Sequence, residues 1–229
     1  MSNNLADWVS RILDILIAAA GLVLLSPLML LIAIAVVMES NGPVFFSQAR
    51  LGLGGRRFRI YKFRKFHNDI GKTGCPLTVR NDARMSRVGR VLARTKLDEL
   101  PQLYNILLGH MAFVGPRPES LDFADCFAGP YRKILDFRPG LFGPSQVAFR
   151  HESSFFPEGD PTRFYRDVLF PLKAAADLSY YPNRSVSADL KWFLRGVLAV
   201  AGCGLNGEAT GGEAPNATAH LRRARGTGA

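Results

Sequence analysis

Cysteine and acid are both scarce in this sequence. The three cysteines, Cys75, Cys126 and Cys203, stand far apart and form no C-x-x-C pair. That spacing argues against a disulfide framework and a thiolate zinc site, and it suits a reduced, cytosol-facing body. The four histidines, His67, His110, His151 and His220, include no i,i+4 pair that could open a metal site. No internal repeat is visible. The glycines at 52 to 55 miss the dinucleotide pattern G-x-G-x-x-G, because Arg57 stands where the third glycine belongs. Acid is outnumbered, with Asp+Glu 19 against Lys+Arg 29 and a net charge of +10. The expected partners are therefore anionic: nucleic acid, phospholipid headgroups or phosphorylated small molecules. A length of 229 residues suits one compact domain with appendages.

Residues 15–37 carry no charge and are long enough to cross a hydrocarbon core of about 30 Å as one straight helix. The run is too long for a signal peptide and lacks a small-residue cleavage site after it. Ser26 and Pro27 interrupt its centre. Pro27 cannot donate its hydrogen bond and crowds the carbonyl of Val23, so the helix must bend or break, with Ser26 able to satisfy a freed carbonyl. A kinked span and a re-entrant hairpin are both compatible with this break. The basic cluster from Arg50 to Lys65 keeps the following body cytosolic, and Arg11 favours an N-terminus on the same side. The expectation is a re-entrant membrane segment over residues 1–40, a cytosolic domain over 41–203, and a disordered Gly- and Ala-rich tail over 204–229.

Pro43 to Phe66 reads as a β-hairpin turning at Gly52 to Gly55. Arg84, Arg87, Arg90 and Arg94 recur at helical spacing and predict a basic stripe, most simply laid against headgroups. The nucleic-acid alternative lacks a recognition motif or stacking platform. From Lys96 to Glu119 the chain reads KLDELPQLYNILLGHMAFVGPRPE. Thr95 can cap a helix beginning there, or the helix can begin later, near Leu100, because Pro101 is poorly tolerated inside it. Leu97, Leu100, Tyr104 and Leu107 give its expected buried stripe. Asp98 and Glu99 are either ordinary first-turn charges or an acidic pair facing the rigid arginine turn Gly115-Pro116-Arg117-Pro118. The short stretch from Leu190 to Val200, with Trp192 and Phe193, is expected to be an interfacial or packing helix. The fold class expected is mixed α/β, mostly helical.

The run from Asp82 to Glu119, with L-D-E-L-P-Q followed by G-P-R-P, resembles the bacterial sugar transferases, which are monotopic phosphoglycosyl transferases. The likeness includes the Ser26-Pro27 break, the hairpin and Arg138-Pro139-Gly140-Leu141, covering roughly residues 8 to 200. In this chain Phe142 and Pro144 stand where the family commonly has Thr and Trp, and Lys65-Phe66 where it often has Thr-Met. The resemblance implies transfer of a phosphosugar from a UDP-sugar to a polyprenol phosphate on the cytosolic face of the inner membrane. Asp98 would be the nucleophile, forming a covalent phosphosugar enzyme and releasing UMP. Glu99 would be its partner, and magnesium would bind at Asp98 and the diphosphate. Lys62, Arg64, Arg94, Arg117, Arg138 and Arg150 are the candidate substrate contacts. A homodimer is compatible with this pattern, and nucleic acid is not expected as a partner. Two rivals remain: a non-catalytic membrane scaffold binding anionic lipid or nucleic acid, and a glycosyltransferase that releases UDP.

Overall fold

A computed structural model describes residues 4–67, 75–150, 152–157 and 159–200, with side chains from Asp7. The tail expected over 204–229 lies outside the described residues. The chain is mostly helical with a small antiparallel sheet. It opens with α1 (Asn4–Leu24) and α2 (Ser26–Glu39), which meet at an angle of 59°. Among the described residues, no single helix is long and apolar enough to cross a membrane. At the break the Ser26 hydroxyl donates to the Val23 carbonyl at 2.7 Å, taking up the acceptor that Pro27 leaves without a backbone partner.

Both ends of this bent pair are fastened to the rest of the molecule. At the near end Arg11 donates to the carbonyls of Ile106 (2.7 Å) and Leu107 (3.0 Å), and Asp14 accepts from the Phe113 N–H at 3.2 Å. At the far end the Arg64 guanidinium donates to the carbonyls of Ser40 (2.6 Å) and Asn41 (2.8 Å), supplying partners at the carboxyl end of α2.

The hairpin forms as expected. β1 (Phe45–Leu51) pairs antiparallel with β2 (Arg57–Phe63), Phe45 opposite Phe63 and Leu51 opposite Arg57. Next comes α3 (Arg87–Thr95), capped by the Ser86 hydroxyl, which accepts from Gly89 N–H, and by Glu39, which accepts from the N–H groups of Arg87 and Val88. Only Arg87, Arg90 and Arg94 of the anticipated stripe lie on this helix. Arg84 precedes it, because its side chain is held by both oxygens of Asp82 and by the carbonyls of Cys75 and Leu77.

The helix expected from Thr95 begins later. Lys96 adopts a left-handed backbone (φ 62°, ψ 14°) that ends α3, and Thr95 donates its hydroxyl back to the Val91 carbonyl instead of capping the next helix. A tight turn, Leu97–Glu99, leads through Pro101 into α4 (Gln102–Leu107). This register changes the buried face. Leu103 and Ile106 are inside, beside Ala18 of α1, while Tyr104, anticipated in the stripe, is exposed. Asn105 is fully buried and locks α4 to β2, accepting from the Tyr61 N–H at 3.0 Å and donating to the Arg59 carbonyl at 2.7 Å.

β3 (Ala112–Val114) and β4 (Gly140–Phe142) pair in parallel. They cross so closely that a Cβ on Gly115 would lie 2.2 Å from the Arg138 carbonyl oxygen, leaving room for glycine alone. α5 (Pro144–Ala148), α6 (Pro161–Phe164) and α7 (Phe170–Tyr180) come next, with one π turn, Tyr165–Leu169, between the last two. α8 (Val186–Val200) contains the amphipathic stretch anticipated from Leu190 and begins four residues before it. Among the described residues three apolar clusters hold these parts, around Ile106 and Phe113, around Phe123 and Phe170, and around Val36 and Phe63.

Candidate active site

The Leu97–Glu99 turn puts the two carboxylates in different surroundings. Asp98 is 3% exposed, and its Oδ1 has no hydrogen-bond partner in the protein. Buried polar atoms are ordinarily satisfied by protein or water, so this oxygen is open to a water, an ion or a substrate atom. Gln102 Nε2 and Arg50 Nε share this condition, and both residues line a small hollow with Lys62, Glu99 and Arg117. Glu99 is instead engaged through one of its oxygens. Its Oε1 accepts from Lys62 Nζ at 2.6 Å and lies 3.6 Å from Arg117 Nη2. Burial opposes ionisation of Glu99, but Lys62, Arg117 and Lys96 outweigh it and hold the carboxyl well below the usual range. Burial also lowers the Lys62 ammonium, with Glu99 opposing.

Arg117 belongs to a turn that is supported from behind. Lys173 of α7 is buried and donates to Glu119 (2.9 Å), Tyr165 (2.8 Å) and Glu152 (3.2 Å). Burial would strip its proton, yet Glu119 and Glu152 raise its affinity well above normal. The Glu152 carboxyl, disfavoured as an anion by burial, is brought down to about 2 by Lys173 and Arg117. Gln146 of α5 closes the arrangement, donating to the Gly115 carbonyl at 2.8 Å and so tying α5 to the start of the arginine turn.

Glu99, Arg117, Gln146, Glu152 and Lys173 open on a cleft of about 580 Å³, solvent at its mouth included, whereas Asp98 lies buried behind its neighbour Glu99 and lines neither this cleft nor the hollow. Its charged lining comprises Lys96, Glu99, Arg117, Arg150, Glu152 and Lys173. Of the residues expected from the sequence, Lys62, Glu99, Arg117 and Arg150 gather around this region, and the Arg150 guanidinium, its proton affinity lowered by burial, feels Glu99 in return. Arg94 sits on the exposed side of α3. Arg138 lies near Arg11 and Asp14 of α1, and Arg64 is occupied with the end of α2. Sequence reasoning missed Lys96, Glu152 and Lys173. The last had a signal: a lone lysine in the apolar helical run Pro171-Leu172-Lys173-Ala174-Ala175-Ala176.

Among the described residues, no group of three or more His, Cys, Asp or Glu side chains is arranged to hold a metal. Magnesium asks for less, since one or two carboxylates plus substrate phosphate oxygens and water complete its octahedron. The unpartnered Oδ1 of Asp98 fits that requirement.

Comparison with known proteins points the same way. The model of the bacterial sugar transferase family matches residues 5–202. A UDP-N-acetylgalactosamine-undecaprenyl-phosphate N-acetylgalactosaminephosphotransferase of Aeromonas hydrophila is 38% identical over 188 residues, covering 80% of this chain and 41% of the relative. A UDP-glucose:undecaprenyl-phosphate glucose-1-phosphate transferase of Caulobacter vibrioides is 38% identical over 194 residues, covering 83% and 69%. An exopolysaccharide production protein of Rhizobium leguminosarum is 34% identical over 188 residues, covering 79% and 89%. The chain thus spans about two fifths of the first relative's length and most of the other two. The family model accounts for nearly all of the described residues, from α1 to the end of α8, and this chain belongs to the bacterial sugar transferase family.

Proposed function

We propose that this protein transfers a sugar-1-phosphate from a UDP-sugar to a polyprenol phosphate, through a covalent intermediate on Asp98. The observation that carries the reading is the contrast within the acidic pair: Glu99 is held by Lys62 and Arg117, while the buried Asp98 keeps an oxygen unpartnered. An ionised carboxylate needs no base to act as a nucleophile. Asp98 attacks the β-phosphorus, the bond from that phosphorus to the bridging oxygen breaks, and UMP departs with the electron pair. A phosphate oxygen of the polyprenol phosphate then attacks the same phosphorus. The acyl phosphate bond breaks, Asp98 is restored as carboxylate, and the sugar is left on a polyprenol diphosphate.

Arg117 and Arg150 offer guanidinium forks to the phosphates, and Lys62 with Glu99 keeps the turn that carries Asp98 in place. Magnesium held at Asp98 would offset charge on the phosphate oxygens. The relatives' names supply the substrate classes, a UDP-sugar and undecaprenyl phosphate.

A lipid acceptor calls for seating at a membrane. The bent pair α1–α2 is read as re-entrant, entering and leaving on the cytosolic face of the inner membrane. What supports this is that Arg11 and Asp14 near its start, and Glu39 and Ser40 at its end, engage the same body.

The test is nucleotide release by purified protein with magnesium, polyprenol phosphate and a panel of UDP-sugars. UMP from one donor, reduced by at least about 10³-fold in Asp98→Asn, is the expected outcome. UDP in place of UMP would mean plain glycosyl transfer, and release undiminished in Asp98→Asn would remove Asp98 from the chemistry.

A further inference from the structure

The cleft has a second, apolar half that the transfer chemistry leaves unexplained. Leu141 and Phe142 of β4, Val147 of α5, and Gly196, Ala199 and Val200 of α8 line it. α8 is pressed onto this surface: a Cβ on Gly196 would lie 2.2 Å from the Phe142 ring, and Phe193 meets Phe142 edge to face with centroids 6.0 Å apart. The outer side of the same helix carries Leu190, Leu194, Val197 and Leu198, all exposed. Their i, i+4, i+7 and i+8 spacing makes one continuous apolar stripe.

Another side of α8 faces the body of the molecule. Trp192 and Phe193 pack against the cluster that includes Ala18, with Leu22 and Leu25 at its edge, and Arg184 just before α8 lies 3.7 Å from Asp7 of α1. α1 itself exposes Trp8, Ile12 and Leu16, again at four-residue spacing. α1 and α8 therefore each carry an exposed apolar stripe, and Gly196, Ala199 and Val200 on the inner side of α8 line the cleft together with Glu99, Arg117 and Arg150. Large exposed apolar surfaces of this kind mark a lipid or partner contact.

We propose that the apolar half of the cleft holds the first isoprene units of the lipid acceptor, with α8 as the wall along which the chain arrives. This inference rests on the function proposed above. A lipid phosphate joins hydrocarbon to an anion as the cleft joins Phe142, Ala199 and Val200 to Arg117 and Arg150; the uracil ring of the donor is the competing occupant, and the two KM values separate them. The charged half then takes the acceptor's phosphate while its chain lies against Phe142, Ala199 and Val200.

The experiment compares wild type with Ala199→Trp, full chain, in lipid nanodiscs, measuring direct binding of undecaprenyl phosphate and the KM of both substrates. Filling the groove should weaken undecaprenyl phosphate binding and raise its KM by about tenfold, as expected when contact with roughly two methylenes is lost. The KM for the UDP-sugar should move less than about twofold, since tenfold discrimination between substrates corresponds to loss from one of them alone. Unaltered lipid binding, or an equal rise in both KM values, overturns the assignment. If Ala199→Trp does not fold, a phosphate of two isoprene units replaces it as the probe on wild type and on Leu194→Ser/Leu198→Ser. Wild type should favour the long chain and the variant should lose part of that preference; no preference in either overturns the proposal. Lipid binding is read without turnover, so a protein that binds the long chain in this groove but releases no UMP from any donor would sink the parent reading alone.

Discussion

Lys62 Nζ donates to Glu99 Oε1 across 2.6 Å, joining the second strand of the hairpin to the turn that carries Asp98. The pair is largely shielded from water, each side chain being 12% exposed. An ion pair so placed is costly to break from one side, because the remaining charge loses its partner and gains no water.

Lys62→Met is therefore expected to lower kcat/KM at pH 7 by about 10²-fold, equivalent to a charged hydrogen bond of roughly 3 kcal/mol. The pH profile gives the sharper readout. Glu99 is held below its unfolded value, so its ionised form supports the site above the ordinary carboxylate range and is lost only as pH falls through the depressed folded value. Without Lys62 the acid limb should move to higher pH. An unmoved limb would detach Glu99 from activity.

Lys173→Met leaves Glu119 and Glu152 facing each other without their common cation. Thermal unfolding should register a loss of about 3–5 kcal/mol. Adding Glu119→Gln should restore part of it, and a double-mutant cycle with no coupling would contradict the geometry.

The carboxyl of Asp177 is raised by burial to about 7, despite the Ser145 hydrogen bonds that favour its anion. The folded state thus binds its proton more tightly than the unfolded chain does. This contribution is fully present below about pH 4 and is lost as pH rises through about 7. Asp177→Asn keeps an acceptor for Ser145 N–H and does not titrate. Between pH 5 and 8 its unfolding temperature should fall less than that of wild type, and parallel curves would refute the raised value.

Gly115→Ala should cost on the order of 3 kcal/mol or more by overpacking, since no rotamer relieves a Cβ against backbone. The loss should extend to phosphate recognition, because Gly115 opens the turn that presents Arg117. Unfolding temperature and donor KM check the two parts.

The Asp98-Glu99 pair stands out in the sequence only through the family resemblance, since adjacent acids alone also read as first-turn charges. The hairpin and the broken helix pair are legible in the sequence because each rests on local chemistry: alternation between glycines and a proline in an apolar run. The helix start near Thr95 is not, for an equally specific reason. A lysine at positive φ is uncommon, so nothing local announces that Lys96 ends one helix and throws the acidic pair into a turn of its own. Arg84 likewise keeps helical spacing but is captured by Asp82 two residues earlier. Lys173 and Glu152 reach the site only through tertiary packing, 54 and 33 positions from Glu119, distances at which spacing carries no signal.

The anchoring of both arms of the bent pair also fixes a length. α2 has 14 residues and so rises about 21 Å from the break at Ser26 to its moorings at Arg64 and α3. One leaflet of hydrocarbon is about 15 Å thick. On the proposed seating the break would reach near the bilayer midplane, and the arm would act as a depth gauge for the acidic turn above it. Adding or removing one helical turn in α2 would then change the height of the carboxylates relative to lipid phosphates while leaving every residue of the site unchanged.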